Sequence, residues 1–129
     1  MEHRLYKPED YKTLYKWWKD WNWEAMPEVA LPETGIIISK DGVDLAASFI
    51  YKTDSAVCWA ENFISNKEAP KELRKGCVEF LIEKTIQEAR SMGFSIMMSS
   101  ISHKGLVDKL VRAGYQVSDT KMTNLVRVL

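Results

Sequence analysis

"SNKEAPKELRKGCVEFLIEK", residues 65–84, leaves a β-type run and enters a helix, and the fold turns on what that helix connects. Val78, Ile82, Ile86 and Ala89, flanked by Cys77, Leu81 and Met92, keep one apolar face until Gly93 supplies a stop. β-type runs stand on either side, at 56–65 and at 94–100. A helix between two such runs is a crossover, so the two strands are expected to lie parallel and adjacent in one sheet. Lys71, Arg74, Lys75 and Gly76 crowd the point where the helix begins. An anion-holding loop needs cations and a small residue in that place. Pro70 at the first helical turn would leave the N–H groups of Lys71, Glu72 and Leu73 open to such an anion. An ordinary solvated helix start, with Glu68 and Glu72 opposing any phosphate, is the competing reading.

Working back towards the N-terminus, residues 36–39 and 43–52 are β-type runs around Lys40-Asp41-Gly42, and Asp-Gly supplies the backbone of a tight hairpin. Thr53-Asp54-Ser55 makes the next turn, so 36–65 reads as a three-stranded antiparallel meander. In its last run Val57, Trp59, Glu61 and Phe63 alternate against Cys58, Ala60, Asn62 and Ile64. Before it, residues 3–6 form a short apolar-containing run, and Pro8, Glu9 and Asp10 open a helix whose Tyr11, Leu14, Trp17, Trp18 and Trp21 share one face. Residues 22–34 lack a helical period and read as a loop with at most one helical turn. Towards the C-terminus, 94–100 reads as a buried strand, and Leu106, Val107, Leu110 and Val111 define a helix closed by Gly114. Runs near 115–118 and 122–128 read as a final hairpin around Asp119-Thr120-Lys121. The expected order is β-α-β-β-β-α-β-α-β-β, an α/β fold with a mixed sheet in one domain spanning 1–129.

The chain has 129 residues, 46% of them hydrophobic, enough for one core. Eighteen basic residues balance eighteen acidic ones, so no global field draws it to nucleic acid or an anionic membrane. No basic stripe accompanies the five tryptophans, which places nucleic acid last among partners. The start MEHRLYKPED has no apolar leader, no window approaches the roughly 18 apolar residues of a membrane span, and a cytoplasmic protein is expected. Cys58 and Cys77 lie in apolar runs and read as reduced, buried thiols. They and His3 and His103 lack close ligand spacing, so no metal site is expected. No serine or cysteine is placed for covalent hydrolase chemistry. Leu31-Pro32-Glu33-Thr34-Gly35 spells a sorting signal, but that signal works only near a C-terminus, and here a proline-bounded loop entering a strand is the simpler reading.

The succession of elements resembles the GNAT acyltransferase fold over nearly the whole chain, and it is closest to small GNAT-like proteins of tailed phages. The stretches that carry the likeness are "EDYKTLYKWWKDW", "LPETGIIISKDGVDLAASFIYKTDSA", "ISNKEAPKELR" and "AGYQVSDTKMTNLVRVL". The resemblance implies a gap where the strands at 56–65 and 94–100 splay, with acetyl-CoA or another acyl-CoA lying in it. It implies cofactor contacts from Phe63, Ile64 and Ser65, then from Lys71, Glu72, Leu73, Arg74, Lys75 and Gly76. The family pattern in that loop is Gln or Arg, two residues, Gly, one residue, then Gly or Ala. With Gly76 as the first glycine the basic and second small positions fall on Leu73 and Val78; with Gly76 as the second, the basic and first glycine positions fall on Lys71 and Arg74. Neither register matches.

Acyl transfer to an amine needs a base, and Glu61 is the candidate. It lies on the strand that resembles the family's base-bearing strand, and apolar neighbours would raise its pKa towards neutrality. The family's acidic tyrosine falls on Leu110, and a cofactor-supporting asparagine falls on His103, which is the candidate acid or polar anchor. Tyr51 and Tyr115 are alternative acids. Trp21, Trp23 and Tyr51 are candidates to line the acceptor pocket. Two functions stay open: an acyl-CoA-dependent N-acyltransferase working by direct transfer to a small-molecule or protein amine, and a non-catalytic phage accessory or virion protein binding another protein through its aromatic face or a sheet edge. The C-terminal strands are plausible edges for a homodimer.

Overall fold

The computed structural model describes every residue from Met1 to Leu129. Five strands form one sheet whose spatial order equals their chain order: β1 (Glu2–Leu5), β2 (Thr34–Lys40), β3 (Val43–Tyr51), β4 (Val57–Ser65) and β5 (Ile96–Met98). The first four pair antiparallel, and β5 joins β4 in parallel, as the crossover requires. The helices are α1 (Tyr11–Asp20), α2 (Lys71–Arg74), α3 (Cys77–Ser91) and α4 (Lys104–Arg112). No helix is long and apolar enough to cross a membrane.

Local chemistry explains the boundaries. Asp41 and Gly42 both have positive φ, 51° and 77°, which the two-residue hairpin between β2 and β3 demands. Helices α1, α3 and α4 end alike. Asn22, Gly93 and Gly114 adopt positive φ, and the N–H of the next residue reaches back to Trp18, Ala89 and Leu110 respectively. At the N-terminal edge the Arg4 guanidinium grips Asp10 at 2.9 and 3.0 Å and touches Asp44 at 3.1 Å. That hydrogen-bonded ion pair holds the Asp10 carboxyl below its usual range and ties β1 to the start of β3.

The sheet is covered on both sides. Ile37, Ala47, Phe49 and Ile64 pack against Leu14, Trp17 and Trp18 of α1. Ile36, Ile38, Leu45 and Ala46 pack on the other side with Cys77 and Leu81 of α3. This is why Ile36-Ile37-Ile38 is apolar without interruption: a strand buried on both faces has no outward side to make polar. The one buried polar pair is satisfied. Thr85 donates to Leu81 O at 2.7 Å, so the Ser48 hydroxyl donates to Thr85, also at 2.7 Å.

Three expectations need correction. The helix expected to begin near Pro70 is broken into α2 and α3, because Gly76 at φ 77° takes the left-handed region and restarts the chain. The strand expected over 94–100 is only three residues long, and Ile96 and Met98 are 53% and 38% exposed, since nothing pairs on its outer side. The hairpin expected over 115–128 does not form at all: no strand follows β5, and no backbone group beyond Tyr115 makes a hydrogen bond. β-propensity measures fit to a packed, pleated surface, and this segment has no such surface beside it.

Gly35 is the tightest point between the sheet and its N-terminal cover. A Cβ there would sit 2.7 Å from Phe49 Cε1 and 2.8 Å from Tyr6 Cβ. Gly35→Ala is expected to cost about 1–3 kcal/mol by overpacking, read from urea unfolding midpoints.

Candidate active site between β4 and β5

The site begins with an extra residue. Phe49 pairs with Glu61 and Ala47 with Ile64, so β4 spends three steps where β3 spends two. Asn62 absorbs the surplus at φ 59°, a conformation asparagine tolerates better than most residues. This bulge overturns the simple alternation read from sequence. Phe63 packs on the α3 side and Ile64 on the α1 side, while Glu61 and Asn62 line one cleft together.

Pairing between β4 and β5 stops at Trp59 and Met98, and β4 then runs on to Ser65 without a parallel neighbour. Side chains hold the point of separation. Ser99 Oγ donates to Ala60 O at 2.7 Å, and the Ser100 N–H is shared by the two Glu61 carboxylate oxygens at 3.0 and 3.2 Å. Beside this junction opens a cleft of about 510 Å³, bounded by Met26, Tyr51, Trp59, Glu61, Asn62, Ser100 and Asn124. Burial pushes the half-buried Glu61 carboxyl above its ordinary pKa, and the Ser100 N–H draws it part of the way back. Tyr51 OH donates to Ala30 O at 2.9 Å and accepts from Asn62 Nδ2 at 2.7 Å; burial raises its pKa too. Tyr115 OH lies 3.1 Å from Ser99 Oγ, and with Ser99 committed to Ala60 O, Tyr115 is the donor. Its hydroxyl is also pushed up by burial.

At the open end of β4 stands the start of α3. Phe80 is the first residue there whose N–H finds a helical acceptor, Gly76 O at 3.0 Å, which leaves the N–H groups of Gly76, Cys77, Val78 and Glu79 without one. Arg74 Nε is buried and has no acceptor either. A helix start short of acceptors, next to an orphaned guanidinium donor, fits a phosphate-bearing ligand such as coenzyme A even though the glycine pattern is lost. Lys71 and Lys75 are exposed beside it, and Glu79 is drawn 3.5 Å from Lys109 of α4, which offsets its charge. Of the N–H groups expected to be open in α2, Leu73 is instead bonded to Pro70 O at 3.0 Å.

The remaining sequence candidates separate. Glu61 and Tyr51 share the cleft. Trp21 and Trp23 do not line it: they stack on each other with centroids 5.6 Å apart, Lys67 sits 5.2 Å over the Trp21 ring, and Trp21 Nε1 donates to Ser65 O at 2.9 Å. They flank the Ser65 end of β4 rather than the Glu61 end. His103 is the N-cap of α4, its Nδ1 accepting from the Leu106 N–H at 3.3 Å, and it is not among the residues that border Glu61. Leu110, in the position of the missing tyrosine, is a buried core residue. Sequence reasoning missed Asn62 and Ser100. An asparagine inside a β-type run is a bulge signal that was there to be read; Ser100 had none, because its part is played by a backbone N–H.

No protein-family model matches the chain, and no curated protein matches it in sequence. Solved structures match it in shape. N-acetylglutamate synthase from Neisseria gonorrhoeae, crystallised with coenzyme A and L-arginine, superposes with a TM-score of 0.75 at 16% identity, over 92% of this chain and 28% of that one. An acetyltransferase from Trypanosoma brucei superposes with a TM-score of 0.68 at 16% identity, over 97% of this chain and 99% of that one. A Mycobacterium tuberculosis protein crystallised with coenzyme A gives 0.73 at 9% identity, over 95% of this chain and 76% of that one. Identities this low carry architecture and not residue roles. With its mixed five-stranded sheet, its crossover helix and its parting β4–β5 pair, the chain has the fold of the GNAT acetyltransferases.

Proposed function

We propose that this protein is an acyl-CoA-dependent N-acyltransferase that moves an acyl group, most simply acetyl, directly to an amine. The observation that carries the reading is Glu61: a half-buried carboxylate at the point where β4 and β5 part, facing an open cleft. Bound coenzyme A would supply a thioester, an acyl carbon already activated towards amines. The chain's own residues would do the rest. Burial makes Glu61 a stronger base than an exposed carboxylate, suited to taking a proton from an incoming ammonium. Ser100 N–H keeps that carboxylate pointed across the junction. The open N–H groups at the start of α3, with Lys71 and Arg74, would hold the phosphates. Tyr115, half-buried and donating to Ser99, is better placed than His103 to serve as a proton donor at the junction. A cytoplasmic site of action and kinship with the phage-encoded members belong to the same proposal.

The non-catalytic alternative draws on the lost glycine pattern in the 71–76 loop. Acetyl-CoA separates the two. At about 100 times its Kd it is expected to stabilise the protein by about 2.7 kcal/mol, seen as a raised Tm, and Lys71→Glu with Arg74→Glu should abolish the shift. An unchanged Tm with the wild-type chain would remove the enzymatic reading.

Glu61→Gln is expected to keep that Tm shift while lowering kcat about 10²–10⁴-fold with an accepted amine. The same variant tests the buried charge. The folded chain holds the Glu61 proton more tightly than the unfolded one, so the wild type loses stability relative to the variant as pH rises from about 4.3 towards neutrality. Paired urea melts across that range would show a widening gap, and a constant gap would mean that Glu61 is not desolvated.

A further inference from the structure

The cleft beside Glu61 carries charge of one sign. Seven residues border it, and Glu61 is the one charged side chain among them. No lysine, arginine or histidine pairs with that carboxylate; its two oxygens share the Ser100 N–H. The Asn62 amide is turned by its neighbour. Tyr51 OH gives its proton to Ala30 O, so Asn62 must offer its Nδ2 donor to the phenol, and Oδ1 is left as a spare acceptor. The apolar part of the wall is held in place. Tyr11 OH donates to Met26 O at 2.8 Å and Tyr51 OH to Ala30 O at 2.9 Å, so two phenols pin the 22–34 loop. Met26, Tyr51 and Trp59 are each half-buried there. At about 510 Å³ the cleft has the size of a small-molecule site.

We propose, resting on the acyltransferase reading, that the acceptor is a small primary amine with an aromatic body and no carboxylate: its ammonium meets Glu61, and its ring lies against Met26, Tyr51 and Trp59. An α-amino acid is refused. Its carboxylate would enter next to Glu61 with no cation to offset it, and the neutral donors of Ser100 and Asn124 cannot cancel a full charge. A second negative charge so near would also favour the protonated form of Glu61 and blunt the base. An ammonium does the reverse, and the faces of Tyr51 and Trp59 attract it as well. As the nitrogen bonds to the acyl carbon in place of sulfur, it gives up two protons, one by way of Glu61 to water and one to the departing thiolate.

Phenethylamine and phenylalanine differ by the carboxylate alone, and titration calorimetry of the full chain at neutral pH compares them. Phenethylamine is expected to bind at least about tenfold more tightly. Glu61→Gln should weaken phenethylamine at least about tenfold and phenylalanine not at all, so that the preference disappears. A merely structural role would weaken both alike. The wild-type comparison does not depend on the variant folding. Phenylalanine bound as tightly as phenethylamine overturns the proposal, as does no binding of phenethylamine up to about 10 mM, about ten times the upper end of common KM values. A preference that survives Glu61→Gln overturns it equally. The titration needs no acetyl-CoA, so this inference can fail while acetyl-CoA still raises the Tm. Selective amine binding without that Tm rise would remove the acyltransferase reading and leave the selectivity of the cleft standing.

Discussion

The molecule is organised around a short parallel contact. Three residues of β5 pair with three of β4, and α3 must span the sheet to bring them together. Parallel pairing of that kind cannot be made by a hairpin, so the crossover, the placement of α3 on one face and the junction beside Glu61 are one constraint seen at three scales. Because the contact is so short, backbone hydrogen bonds do not hold its open end. Ser99 and Glu61 do, through a hydroxyl and a carboxylate that stand in for missing ladder partners. The candidate base is therefore also part of what keeps the two strands together.

Burial on both faces of β2 and β3 makes this arrangement rigid. Helix α1 with its tryptophans closes one side, α3 closes the other, and the three isoleucines of β2 divide between them. The stiffness fades along the sheet. The third core cluster, around Ile50, Cys58 and Ala89, is the smallest, and it lies next to the short, half-exposed β5. The cleft and the unfinished edge both occur at this weaker end, where strands are free to part.

Much of this could be read from the residues. Periodicity found α1, α3 and α4, Asp41-Gly42 found the hairpin, and the strand–helix–strand succession found the parallel pair, because each is a local pattern imposed by one dominant force. Three things could not be read in that way. Gly76, a candidate phosphate-loop residue, is also the left-handed break that separates α2 from α3, which periodicity alone does not show. Alternation reached Glu61 correctly but carried Phe63 to the wrong face, since a bulge changes the phase after Asn62. The C-terminal runs have strand-like composition, yet composition cannot say whether an edge is at hand to receive them. His103 caps α4 through its Nδ1, the use that competes with a role as acid or polar anchor.

The surplus residue at Asn62 acts as a phase shifter. Upstream of it, odd-numbered side chains of β4 look towards the α1 layer; downstream, even-numbered ones do. Removing Asn62 itself would restore plain alternation, with Phe63 opposite Ser48 and Ile64 still opposite Ala47, so each keeps the layer it already occupies. A one-codon deletion here would thus spare both layers and be felt in the cleft alone, where Tyr51 would lose the amide that bonds its hydroxyl at 2.7 Å.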